Sequence, residues 1–73
     1  MLKVGIVGAA GYAGAELVRI VLRHPEFDLC VITSNSDEGA TLASVYPAFS
    51  GVTNLVFSRH DNPELFNCDV VFL

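Results

Sequence analysis

The stretch VGIVGAAGYAGAELVRIVLRHPE, residues 4–26, decides the fold. It opens on branched apolar residues, places Gly8, Gly11 and Gly14 three apart, and runs on into an amphipathic pattern. Residues 2–7, LKVGIV, are apolar on both faces after Lys3, as a central parallel strand must be when helices cover both sides of its sheet. Between residues 12 and 23 the polar side chains Tyr12, Glu16, Arg19 and Arg23 recur at spacings of four, three and four, with Leu17, Ile20 and Val21 on the apolar side. His24-Pro25 stops the helix, because the residue before a proline is pushed out of the α region. FDLCVIT, residues 27–33, is the next run of strand formers and ends in the polar turn SNSDEG. Strand, helix and strand make a βαβ unit, right-handed by default.

Each glycine has a separate reason to be there. Gly8 falls where the strand must turn sharply, in a conformation that costs glycine little. Gly11 has no Cβ, so a pyrophosphate can approach the backbone, and Gly14 lets the helix pack closely on the strand. Free N–H groups in the first helical turn, residues 12–15, then face an anion with the helix dipole behind them. The spacing G-x-x-G-x-x-G is a variant of the dinucleotide fingerprint G-x-G-x-x-G, and its strand–turn–helix setting is the one the fingerprint requires. A P-loop is excluded, since no G-K-[ST] follows the turn. The candidate cofactor residues are Gly8, Gly11, Tyr12, Ala13 and Gly14 for the pyrophosphate, and Ser34, Asn35 and Ser36 for the adenosine ribose. A sheet that prefers NAD offers an acid near the latter position. Here the second strand ends in neutral Thr33, Ser34, Asn35 and Ser36, which leans toward NADP, although no Arg stands in the usual place to clamp a 2′-phosphate.

Downstream, Ser36 or Asp37 is expected to cap a short helix through residues 40–45, closed by Tyr46-Pro47. NLVFS, residues 54–58, reads as a short strand, residues 62–66 as a helical turn, and DVVFL, residues 69–73, as a second buried strand. The fold class is therefore α/β, a partial doubly wound, Rossmann-like parallel sheet. Residues 1–73 are expected to be the N-terminal half of a dinucleotide-binding domain, since such a domain takes about 150 residues. Strand 70–73 should lie beside strand 2–7, on the side away from strand 28–33, with the cofactor crossing the switch point between them.

Four Lys and Arg against eight Asp and Glu leave no phosphate-neutralising stripe, so nucleic acid is not an expected partner. Lys3 and the glycines interrupt any secretory signal, and no apolar run reaches the roughly 20 residues of a membrane span. A cytoplasmic setting follows as an expectation, with Cys30 and Cys68 as buried free thiols whose spacing matches neither zinc nor C-x-x-C sites. His24 reads as a favourable charge near a helix C-terminus and His60 as a solvated loop residue, because neither has the partners a base requires. Asp37 and Glu38 are adjacent and make no paired-carboxylate site. No catalytic residue and no metal ligand is assigned in this stretch.

At GAAGYAGAELVRIVLRHPE, and on through TSNSDEG, VYPAFSG and CDVVFL, the sequence resembles the N-terminus of the N-acetyl-γ-glutamyl-phosphate reductase family. The resemblance covers essentially all of the chain, and Gly-Tyr-Ala-Gly followed by Glu-Leu and His-Pro is far more specific than three glycines. It implies NADPH-dependent reduction of an acyl phosphate to an aldehyde with release of phosphate, in the arginine pathway, through a cysteine thioester and a histidine. Those catalytic groups belong to parts of the family's chain beyond Leu73. A small-molecule substrate and a homo-oligomer are implied with them. The family commonly has an arginine at the position of Asn35 and a lysine at that of Ala40, and both are replaced here. An aspartate-semialdehyde dehydrogenase-like enzyme is the nearest alternative, and a non-catalytic nucleotide-binding module is the alternative outside enzymes.

Overall fold

A computed structural model describes residues 1–73. Strand β1, Leu2–Ile6, leads through the glycine turn into helix α1, Tyr12–Arg23, and on to strand β2, Phe27–Thr33. A one-turn helix α2, Leu42–Val45, and a 3-10 turn, Pro47–Phe49, precede strand β3, Phe57–Ser58; a second 3-10 turn, Pro63–Asn67, leads to strand β4, Val70–Phe72. The four strands are parallel and ordered β3-β2-β1-β4. Thus β4 pairs with β1 on the side away from β2, with Val4 opposite Val70 and Ile6 opposite Phe72, as the doubly wound reading requires.

α1 covers one face of the sheet. Val18 and Val21 reach down to Val4, Ile6, Leu29 and Ile32, and Ala9, Leu42 and Phe57 complete the cluster. Phe57 is the largest fully buried side chain, so the two-residue strand that carries it is held mainly by its side chain and by the pairing of Ile32 with Phe57. Ile20, read as part of the apolar face, is 55% exposed and points away from the core. The helix period places Val18, Val21 and the half-buried Leu17 and Leu22 inward instead. On the outer face Glu16 and Arg19 pair at 2.7 Å, one turn apart. This solvated pair contributes little to stability, though the Arg19 hydrogen bond holds the Glu16 carboxyl below its ordinary range.

α2 begins later than the sequence suggests. Thr41, not Ser36 or Asp37, is its cap, with Oγ1 accepting from the Ser44 N–H at 3.2 Å. The delay has a backbone cause: Gly39 N–H donates to the Phe57 carbonyl, Phe57 N–H to the Ala40 carbonyl and Leu42 N–H to the Leu55 carbonyl. Residues 39–41 therefore run antiparallel beside residues 55–57 and cannot be helical. The same pairing trims the strand expected over residues 54–58 to Phe57–Ser58.

His24 ends α1 as expected. Its Nδ1 accepts from the Glu26 N–H at 3.1 Å, and its ring stacks on Phe27 with centroids 4.1 Å apart. Cys30 also departs from expectation. It is the extra residue where the β1–β2 register shifts between Val4 and Gly5, and its side chain is exposed on the face opposite α1. On that face only Leu65 of the second 3-10 turn and Cys68, itself half-buried, close over Gly5. No helix is long and apolar enough to cross a membrane.

Replacing Phe57 with Ala should lower the free energy of unfolding by about 3–5 kcal/mol, read by urea denaturation. A loss below about 1 kcal/mol would mean that the core does not centre on this residue.

Candidate functional site

Gly8 leaves β1 with φ of +78°, the left-handed turn that side chains resist. Two consecutive N–H groups of the turn are then tied to the end of β2: Gly8 N–H donates to Thr33 Oγ1 at 3.2 Å and Ala9 N–H to the Thr33 carbonyl at 3.0 Å. Gly14 has the packing role read for it. A Cβ there would stand 2.7 Å from the Gly8 carbonyl oxygen and from the Ala9 carbonyl carbon, so α1 could not lie this close to the turn with any larger residue.

Gly11 differs from both. As the residue preceding α1 it has φ of −90° and ψ of 176°, which any residue adopts, and a Cβ built on it meets nothing within 4 Å. Neither strain nor packing inside the chain demands glycine here, and the space above its backbone is open. Ala15 N–H closes the first helical bond to the Gly11 carbonyl at 2.8 Å, which removes it from the free donors expected over residues 12–15. The N–H groups of Tyr12, Ala13 and Gly14 have no acceptor in the chain, and no side chain caps the helix. Three donors, a helix dipole and a surface cleared of Cβ atoms fit a pyrophosphate. The Tyr12 side chain is 97% exposed and takes no part in shaping the turn.

The sequence reading overlooked Tyr46. Its hydroxyl donates to the Ala10 carbonyl and lies 3.1 Å from that of Gly11, so the turn's carbonyls are held toward Tyr46. A tyrosine ahead of Pro47 gave only a helix-stop signal, because the contact spans more than thirty residues and exists only after the chain has folded back.

At the end of β2 lies a groove of about 440 Å³ lined by Ser34, Asn35, Glu38, Arg59, His60 and Asp61. Ser34 is buried, with Oγ donating to Asp37 Oδ2 at 2.9 Å, while Asn35 and Ser36 are exposed. Arg59 and His60 were not foreseen there. The parallel pairing of Thr33 with Ser58 puts the residues after β3 beside those after β2. His60, read as a solvated loop residue, has its Nδ1 2.6 Å from the Thr33 hydroxyl, which is wholly buried. Thr33 Oγ1 thus meets both the Gly8 N–H and the His60 ring.

Neither thiol belongs to this site. Burial, then the Asp28 charge, pushes the Cys30 thiol above its ordinary value; burial, then Asp69 and Glu64, does the same for Cys68. A raised thiol is protonated near pH 7 and a poor nucleophile. No group of three or more His, Cys, Asp or Glu is placed to hold a metal ion.

The family model described as "Semialdehyde dehydrogenase, NAD binding domain" matches residues 3–73. The chain belongs to this family. Among curated relatives of the semialdehyde dehydrogenase domain, the N-acetyl-gamma-glutamyl-phosphate reductase of Herminiimonas arsenicoxydans is 47% identical over 72 residues, covering 99% of this chain and 21% of the relative. That of Azotobacter vinelandii is 49% identical over 73 residues, again 99% of this chain and 21% of the relative. The chain thus spans about a fifth of the length of the curated relatives it matches. In structure it resembles aspartate semialdehyde dehydrogenase with NADP from Candida albicans, with TM-score 0.82 and 22% identity over 97% of this chain and 22% of that one. The last likeness establishes the shared doubly wound fold.

Gly11→Val should abolish dinucleotide binding while stability falls by no more than about 1 kcal/mol, the difference between glycine and an apolar residue at a helix cap. Gly14→Ala should instead lower stability by about 1–3 kcal/mol and weaken binding through the displaced helix. Titration and denaturation of the two variants side by side separate these roles; unchanged binding by Gly11→Val would remove the role read for Gly11. Alkylation of Cys30 and Cys68 by iodoacetamide should be slower at pH 7 than that of an unstructured cysteine peptide. Its rate should rise with pH to a half-point above the ordinary thiol range, and a faster rate at pH 7 would contradict the raised thiols.

Proposed function

We propose that this chain is the cofactor-binding part of an enzyme that reduces N-acetyl-γ-glutamyl phosphate to N-acetylglutamate semialdehyde, with oxidation of NADPH and release of inorganic phosphate. Gly11 carries the reading: the space above its backbone is open, the three N–H groups that follow it have no acceptor in the chain, and neither its φ nor its packing requires glycine. The names and identities of the curated relatives support the substrate.

In this reading Gly8, Gly11, Tyr12, Ala13 and Gly14 surround the pyrophosphate through backbone contacts, and Ser34, Asn35 and Ser36 lie along the adenosine ribose. Thr33 and Tyr46 hold the turn from either side, one through its N–H groups and the other through its carbonyls. When bound, the cofactor supplies the hydride. The dinucleotide runs from the β2 end toward β4, which directs its nicotinamide to the side of β1 away from the ribose groove. Cys30 and Cys68 lie away from the turn and the groove, so in this reading the acyl-transfer step falls to residues outside 1–73. Residues 1–73 are accordingly the first part of a dinucleotide-binding domain in a longer, homo-oligomeric and cytoplasmic protein.

NADP is favoured over NAD because the strand end that meets the ribose carries Ser34, Asn35 and Ser36 rather than an acid. The test is fluorescence titration of the full chain with NADPH and NADH, followed by assay of phosphate-dependent NADP reduction with N-acetylglutamate semialdehyde. Tighter NADPH binding and turnover with this aldehyde are expected. Turnover only with aspartate semialdehyde would favour the related dehydrogenase reading, and binding without turnover on either aldehyde would leave a nucleotide-binding module.

A further inference from the structure

The groove beside Ser34 contains one full positive charge, and the fold places it there. The chain has four Lys and Arg in all: Lys3 stands at the start of β1, Arg19 and Arg23 lie in the second half of α1, and only Arg59 reaches the end of the sheet where the strands finish. Thr33 pairs with Ser58 and Ser34 N–H donates to the Ser58 carbonyl at 3.0 Å, so Arg59 follows directly beside Ser34, one strand spacing away. Its one ionic contact is Nε to Asp61 Oδ1 at 3.4 Å, with both side chains about two-thirds exposed or more. Such a pair is weak, and the terminal guanidinium nitrogens have no partner in the chain.

We propose that Arg59 and His60 read the 2′ position of the adenosine ribose, holding a 2′-phosphomonoester in the groove after β3. This rests on the dinucleotide reading and adds the residues that decide between NADP and NAD. Arg59 offers the planar pair of donors suited to a phosphate. His60 sets its imidazole beside it, held by the contact of Nδ1 with the buried Thr33 hydroxyl. Thr33 also accepts from Gly8 N–H, so the groove and the pyrophosphate turn share one buried anchor, and their separation is set by β2 rather than by a mobile loop. Glu38, on the wall of the same groove, opposes an anion, and Asp61 competes for Arg59. The groove therefore discriminates through a balance of charges, and the balance shifts in opposite directions when Arg59 and Glu38 are neutralised.

The experiment is isothermal titration of the full chain, and of its Arg59→Gln and Glu38→Gln variants, with adenosine 2′,5′-bisphosphate and with 5′-AMP. Both side chains are exposed, and melting temperatures check that the variants fold. The unsubstituted chain should prefer the bisphosphate. Arg59→Gln should cut the preference about tenfold without weakening 5′-AMP, and Glu38→Gln should raise it about threefold. A preference that survives Arg59→Gln overturns the assignment while the NADP reading stands. Equal binding of both nucleotides by the unsubstituted chain overturns the assignment together with NADP preference, and binding of neither overturns the dinucleotide reading itself.

Discussion

Thr33 accepts two successive N–H groups from the turn that follows β1, one on its side chain and one on its carbonyl. That pair of bonds ties the end of β2 to the place where the chain leaves β1, and the rest of the site is built on it. With Gly8 in a left-handed conformation the chain reverses direction within a few residues, and α1 starts pressed against the turn because Gly14 has no Cβ to hold it away. The helix N–H groups are thereby brought to the end of the sheet where a parallel arrangement leaves an open crevice. Loosening the Thr33 contacts would displace the turn, the helix and the groove together.

The core explains why so short a chain can hold that geometry. Val18 and Val21 of α1 pack on Val4, Ile6, Leu29 and Ile32, so the face of the sheet behind the turn is closed. The opposite face is covered only by the second 3-10 turn, with Leu65 and Cys68 over Gly5, which is why Cys30 is exposed. The two faces thus have different tasks, one fixing the anion turn and the other carrying half-buried groups that chemistry at this site does not use.

Charge is distributed with the same economy. An anionic chain presents a single arginine at the ligand end of its sheet and surrounds it with Glu38 and Asp61. The glycine turn, by contrast, carries no charged side chain and presents backbone donors. The buried Thr33 hydroxyl links the two regions through Gly8 and His60.

The sequence by itself determined the order β1-α1-β2 and its bounds, the tight turn at Gly8, the close approach at Gly14 and the place of β4, because each follows from local periodicity or from the steric properties of one residue. Family membership was legible for the same reason, since the glycine turn and the helix behind it lie within one contiguous stretch. Only the tertiary structure decided the start of α2, where pairing of residues 39–41 with residues 55–57 overrides capping by Ser36 or Asp37. It alone brought Tyr46 to the Ala10 and Gly11 carbonyls and Arg59 and His60 to the groove beside Ser34. It also stacked His24 on Phe27 and left Cys30 exposed. These outcomes depend on which distant backbone groups satisfy one another and which face the helices cover, and neither is encoded in the spacing of neighbouring residues.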